Sequence, residues 1–202
     1  MGRYCWVPST EGRGADESLP EVRDTDRALD AALFLREKRF PIGVVLDNIR
    51  SAYNVGSIFR TADAARVEKL YLCGVTAYPP NDKLEKTALG AVDFVPWEYH
   101  GQTLALVRHL KDEGAAIVSL ETAAGSICHF QYRFPKPVFL VVGNEVDGVS
   151  REVLRLSDAI VEVPVWGMKN SINVAALFGI VIYELLRQFG TAPDGAPLGE
   201  LR

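Results

Sequence analysis

The stretch from Pro137 to Gln188 restricts the fold more than any other. It opens with the apolar run Val138-Phe139-Leu140-Val141-Val142 and passes directly into Gly143-Asn144-Glu145-Val146-Asp147-Gly148-Val149-Ser150. A short apolar run ending on glycine and polar side chains predicts a buried strand that delivers a site at its carboxyl end. A second such run, Ala159 to Pro164, follows within a few residues. After the turn-forming Trp166-Gly167-Met168-Lys169-Asn170, Ser171-Ile172-Asn173 open a long apolar helix. Two polar clusters therefore flank one strand.

Upstream, strand-like and helix-like segments alternate. Gly43–Leu46, Lys69–Cys73 and Ala115–Leu120 read as strands, and Phe94–Trp97 as an extended piece. Helices are expected from Asn54, as cap, to about Ala65, and over Asn81–Leu89, Gln102–Lys111 and Asn173–Phe189, with Asp47–Tyr53 as a loop. The segment from Glu121 to Lys136 is mixed, with at most a short helical turn. This alternation predicts an α/β fold: a mostly parallel sheet flanked by helices.

Ahead of it, 1–22 is poor in apolar residues and reads as flexible, and Thr25–Lys38 as an amphipathic helix. The chain is thus divided into an extension (1–40), a main domain (41–189) and an irregular Pro- and Gly-bearing tail (190–202). With 202 residues, 48% of them hydrophobic, one substantial core is expected. No apolar stretch approaches the roughly 20 residues of a membrane span or a signal-peptide core. That points to a cytoplasmic protein with no membrane partner. Cys5, Cys73 and Cys128 have neither disulfide-scaffold nor zinc spacing, and His100, His109 and His129 fit no metal-ligand pattern, so no metal is expected. The net charge of −4 leaves any contact with nucleic acid to a local patch.

Three clusters, in order, carry a resemblance. They are Asn48-Ile49-Arg50-Ser51-Ala52-Tyr53-Asn54-Val55-Gly56-Ser57-Ile58-Phe59-Arg60-Thr61-Ala62-Asp63, the Gly143–Ser150 run, and Ser171-Ile172-Asn173. Together they resemble the three motifs of the SPOUT superfamily in its TrmH-like (SpoU) branch of RNA ribose 2′-O-methyltransferases. The sequence departs from the usual pattern at Ile172, Ala175 and Val165-Trp166, none of which removes a proposed catalytic group.

The resemblance implies a C-terminal deep trefoil knot, S-adenosylmethionine as cofactor, an RNA substrate with tRNA favoured over rRNA, and a homodimer. The apolar final helix suits the dimer, since a helix apolar on every face must be covered on every face. By residue, the resemblance assigns catalysis to Arg60, Glu145, Asn54, Ser171 and Asn173. The donor would be held by Leu120, Glu121, Gly143, Asn144, Val163, Met168, Ser171 and Ile172. Arg50, Tyr53 and Lys169 are candidate RNA contacts.

A guanidinium stays protonated in proteins, so Arg60 is read as a clamp on phosphate and nascent alkoxide rather than as a base. Asn54 and Arg60, six residues apart, can approach one pocket end if the first helical turn faces it. Glu145 would orient the ribose, or carry a proton if its pocket raises its pKa. Two alternatives share the fold: an inactive RNA-binding or assembly factor, and a base-nitrogen RNA methyltransferase. Dinucleotide oxidoreduction is disfavoured, because no strand-linked Gly-x-Gly-x-x-Gly occurs.

Overall fold

The computed structural model describes residues 35–193, 195 and 198. Of these, Arg39–Gly190 form one compact unit, and the flanking residues belong to another. The flexible segment expected over 1–22 and most of the helix expected over 25–38 lie outside the described residues, as does much of the tail.

Seven strands form a single sheet in the order β3-β2-β1-β6-β4-β7-β5. They are β1 (Phe40–Asp47), β2 (Val67–Cys73), β3 (Trp97–His100), β4 (Ile117–Leu120), β5 (Ile127–Cys128), β6 (Val138–Gly143) and β7 (Ala159–Glu162). Every pairing is parallel. Parallel sheets are covered on both faces, which is why the central strands read as unbroken apolar runs. In β1, Val44, Val45 and Leu46 are all fully buried although they alternate between faces.

Five helices lie wholly within the described residues: α1 (Ala52–Ala64), α2 (Asp82–Ala88), α3 (Thr103–Asp112), α4 (Arg151–Leu156) and α5 (Val174–Phe189). Leu106, Val107 and Leu110 of α3 and Val153 of α4 meet Val45, Ile117 and Val141 in one core. Elsewhere α1 packs against both α2 and α5. The path β1–β2–β3 runs outward on one side, and β4 resumes beyond β6. Strand order therefore reverses near β1 and β6, the place where open α/β sheets put their ligand cleft.

Several local expectations are corrected. The piece expected to be extended over Phe94–Trp97 begins as the turn that closes a 3-10 helix at Ala91–Asp93 and is extended as a strand only from Trp97, the first residue of β3, which pairs with Leu70. The Glu121–Lys136 segment contributes the edge strand β5, held by Ile127 opposite Val161, in addition to the expected helical turn, where Tyr132 N donates to Cys128 O at 3.1 Å. The unanticipated α4 is only six residues long, too short to show a helical period. Finally, α1 is capped by Ser51, whose Oγ accepts from Asn54 N at 3.3 Å. Asn54 is left inside the first turn, with its side chain free for other partners.

Candidate active site

The site begins where β1 ends. Asp47 sits in register between Cys73 of β2 and Gly143 of β6, and is buried. Its Oδ1 accepts from Thr103 Oγ1 at 2.5 Å and from Asn48 Nδ2 at 2.8 Å, while Oδ2 accepts from Ser150 N at 3.2 Å. One carboxylate thus ties the start of α3 to the loops leaving β1 and β6. Burial pushes the neighbouring Cys73 thiol up to about 12, against an opposing hydrogen bond from Thr103, so it stays protonated.

The loop after β6 doubles back on itself. Asn144 N donates to Gly148 O at 3.1 Å and Gly148 N to Asn144 O at 2.9 Å. A Cβ on Gly143 would overlap the backbone of Gly148 and Val149, so only glycine permits this close return. Asn144 also holds the loop to its neighbour, donating from Nδ2 to Asn48 O at 2.7 Å while its Oδ1 accepts from Val146 N and Asp147 N. Glu121, at the end of β4, closes the other side: its carboxylate accepts from Val149 N and Thr122 N, both at 2.9 Å. Its oxygens therefore brace the β6 loop, which leaves backbone rather than carboxylate to meet a ligand there.

Presented by this loop, Glu145 is the hub of the polar cluster. Its Oε2 accepts from Arg50 N at 2.8 Å, and its Oε1 from Ser51 N at 3.0 Å and Asn54 Nδ2 at 2.8 Å. The first two are backbone N–H groups at the start of α1, where a helix favours negative charge. Partial burial works to raise the carboxyl's pKa. The hydrogen bonds from Arg50, Asn54 and Ser51 outweigh it and hold Glu145 below the ordinary carboxylate range. The pocket therefore lowers this pKa rather than raising it, which favours the anionic form of Glu145.

The third motif joins through Asn173, whose Nδ2 donates to Asn54 Oδ1 at 3.1 Å. Asn173 is also the N-cap of α5, its Oδ1 accepting from Ala175 N at 3.0 Å and Ala176 N at 3.3 Å. Capping and site-building are one geometry: the cap fixes Asn173 Oδ1 and aims Nδ2 at Asn54. Asn54, Glu145 and Asn173 are thus brought together from three distant segments.

The side chains of the other candidates make no hydrogen bond to Asn54, Glu145 or Asn173 among the described residues. Arg60 is exposed and, among the described residues, its side chain makes no hydrogen bond or ion pair. Six residues beyond Asn54, it lies about 9 Å further along α1 and roughly a third of a turn round. Among the described residues, no hydrogen bond joins the Arg60 side chain to Asn54, Glu145 or Asn173. Ser171, Lys169 and Arg50 are exposed, Tyr53 is 45% exposed and Met168 wholly so. Leu120 is buried, and Val163 and Ile172 are half-buried. Sequence reasoning does not single out Ser51, Asp47 or Thr103 as site residues. Ser51 lies inside the first motif and is a strong capping type, whereas the Asp47–Thr103 contact spans 56 residues and has no local signal.

The SpoU rRNA methylase family model matches residues 41–183. The chain belongs to that family. A tRNA (guanosine(18)-2′-O)-methyltransferase of Aquifex aeolicus is 32% identical over 155 residues, covering 76% of this chain and 72% of that protein. The 23S rRNA (guanosine-2′-O-)-methyltransferase RlmB of Vibrio parahaemolyticus is 30% identical over 156 residues, 76% of this chain and 62% of its own length. Among solved structures, the SpoU methyltransferase AviRb of Streptomyces viridochromogenes, in complex with AdoMet, superposes with a TM-score of 0.68 at 25% identity, covering 77% of this chain and 63% of AviRb. The SpoU chain described here thus spans under two thirds of two of these three relatives.

Within the SpoU fold, the loops expected to hold S-adenosylmethionine leave β4, β6 and β7, which are adjacent in the sheet. Leu120, Val163 and Ile172 are apolar residues at these loops, and the loop after β6 returns tightly at Gly143. That chemistry fits a donor with an adenine, a ribose and a short charged chain. Among the described residues, no three His, Cys, Asp or Glu side chains could hold a metal, and no helix is long and apolar enough to cross a membrane.

Proposed function

We propose that this chain transfers a methyl group from S-adenosylmethionine to a ribose 2′-hydroxyl of structured RNA, with tRNA the favoured substrate over rRNA. The observation that carries the proposal is the meeting of Asn54, Glu145 and Asn173 beside the donor loops in a SpoU-family chain. The preference for tRNA is supported by the Aquifex tRNA enzyme, of which this chain spans the larger share.

The bound donor supplies an electrophilic methyl on a sulfonium. Asn54 and Asn173, fixed by Glu145 and by the cap of α5, present amide groups that orient the ribose; positioning of this kind can supply much of the rate enhancement. Arg60 grips the adjoining phosphate and disperses charge on the hydroxyl oxygen as its proton is lost to solvent. Leu120, Gly143, Asn144, Val163, Met168, Ser171 and Ile172 hold the donor, with Glu121 bracing from behind. Arg50, Tyr53 and Lys169 receive the RNA.

Because no hydrogen bond joins Arg60 to the Glu145 cluster, the proposal includes a symmetric homodimer in which the arginine of one subunit serves the other's pocket. Ile180, 41% exposed, and Tyr183, 53% exposed, supply an apolar patch for that contact on α5. The family's trefoil knot over the C-terminal segment and a cytoplasmic location complete the reading.

A ribose 2′-O-methyl group blocks attack of that oxygen on the next phosphate, which makes the linkage resistant to alkali. Purified protein given radiolabelled donor and RNA from cells lacking it should therefore leave label in alkali-resistant dinucleotides. Label released wholly as mononucleotides would mean base methylation and overturn the proposal.

A further inference from the structure

The carboxyl ends of β2 and β3 carry a second feature that none of the three motifs accounts for. Tyr78 and Tyr99 lie with ring centroids 4.7 Å apart and planes tilted by 46°. They remain 48% and 44% exposed, and Val75 nearby is 69% exposed. Buried rings need no explanation, but two large rings held together in solvent form a ready surface. The pair is fixed in place: Tyr99 Oη donates to Gly74 O at 3.0 Å, and Gly74 N donates to His100 O at 2.9 Å.

The same loop is bonded to the first motif. Val75 N donates to Asn48 Oδ1 at 3.1 Å, and Ile49 N donates to Thr76 Oγ1 at 2.9 Å. One residue further on, Arg50 N reaches Glu145. The aromatic pair and the polar cluster therefore stand on one continuous rim, joined through Asn48 and Ile49.

We propose that Tyr78 and Tyr99, with Val75 beside them, form a stacking platform for an unpaired RNA base flanking the methylated nucleotide. The inference rests on the RNA methyltransferase reading above and names how that substrate is gripped. A chain of net charge −4 gains less from phosphate contacts than a basic domain does, so stacking adds affinity beside the phosphate contact proposed for Arg60. Aromatic rings stack on any base, and sequence-specific RNA readers favour splayed, single-stranded nucleotides. The locked Tyr99 ring acts as backing, and Tyr78 offers the second face.

The test compares Tyr78→Ala, Tyr78→Phe and Tyr99→Ala with the parent, using RNA from cells lacking the protein for methylation and a fluorescein-labelled unstructured RNA dodecamer for binding. Tyr78→Ala and Tyr99→Ala should raise KM for RNA by about tenfold and weaken dodecamer binding alike. Turnover at saturating RNA and donor affinity by calorimetry should stay within about twofold. Tyr78→Phe, which keeps the ring, should match the parent.

If Tyr78→Ala leaves KM and dodecamer binding unchanged while the parent methylates RNA, the platform alone is overturned. It is likewise overturned if Tyr78→Phe is as damaging as Tyr78→Ala, or if donor affinity falls in step with RNA affinity. A parent that methylates no RNA overturns the function and the platform together.

Discussion

Asn54 reaches across 91 residues of chain to place its amide 2.8 Å from Glu145. With Asn173 on its other side, Asn54 is the only side chain bonded to both remaining motifs among the described residues. Glu145→Gln should preserve the shape but replace one acceptor oxygen by a donor, leaving a backbone N–H of Arg50 or Ser51 without its partner. Methyl transfer at saturating substrates should fall on the order of a hundredfold, as expected when reacting groups are displaced by about 1 Å. Because the carboxyl's pKa is lowered, the parent's single-turnover rate should show no titration of this group between pH 6 and 8. A rate that rose through a pKa in that window and went flat in Glu145→Gln would restore Glu145 as a proton carrier.

Arg60→Ala should abolish methyl transfer while leaving donor affinity by calorimetry nearly intact, since the arginine is assigned to the phosphate and hydroxyl and the donor to the β4, β6 and β7 loops. Arg60→Lys should be almost as damaging, because a point charge cannot reproduce the guanidinium fork. Retention of single-turnover rate within a few-fold in Arg60→Ala would show that the arginine is not catalytic.

The dimer is tested on the exposed stripe of α5. Leu185 is fully buried within the subunit, so charging it would damage the fold itself, whereas Ile180 and Tyr183 face outward. Ile180→Asp with Tyr183→Asp should convert a sedimenting dimer to a folded monomer without activity, because unpaired charge in an apolar interface is costly. An unchanged sedimentation coefficient, or a parent that is an active monomer at micromolar concentration, would remove the dimer from the account.

Acid sensitivity should trace in part to Glu184, which is buried on α5. The Arg187 guanidinium, at 2.8 Å from both carboxylate oxygens, leads in holding it at about 2, opposed by desolvation and helped by Gln188 and His129. Gln188 in turn bonds Tyr132 O and Phe134 N, so the ion pair steadies the segment after β5. A carboxyl with a depressed folded-state pKa stabilises above its ordinary value of 4.5 and loses that contribution as pH falls toward 2. Glu184→Gln should therefore be less stable than the parent at pH 7 and approach it near pH 2, as followed by urea midpoints. Parallel stability curves would assign the acid branch to other groups.

The sheet is legible in the sequence because β1, β4 and β6 are buried on both faces and read as apolar runs. The three polar clusters are legible because Gly143 and Glu145 close one apolar run and Asn173 opens another. Sequence cannot decide whether Ser51 or Asn54 caps α1, since both types cap well. The choice is made by Glu145 and Asn173, which claim the Asn54 side chain from far along the chain. Arg60 is exposed on α1, and no local pattern says which surface its side chain serves. For Glu121 and Leu185, position along the chain suggests the donor and the dimer. Their tertiary partners, Val149 N and the subunit core, are contacts that no local pattern carries.

Nucleosides and mapped oligonucleotides from total RNA, compared by mass spectrometry between cells with and without this protein, test the central claim most directly. The account predicts loss of a single 2′-O-methylated nucleotide at a defined position, in tRNA, restored by the parent chain and not by Arg60→Ala. Full retention of every ribose methylation, or the loss of a base-methylated nucleotide instead, would contradict it.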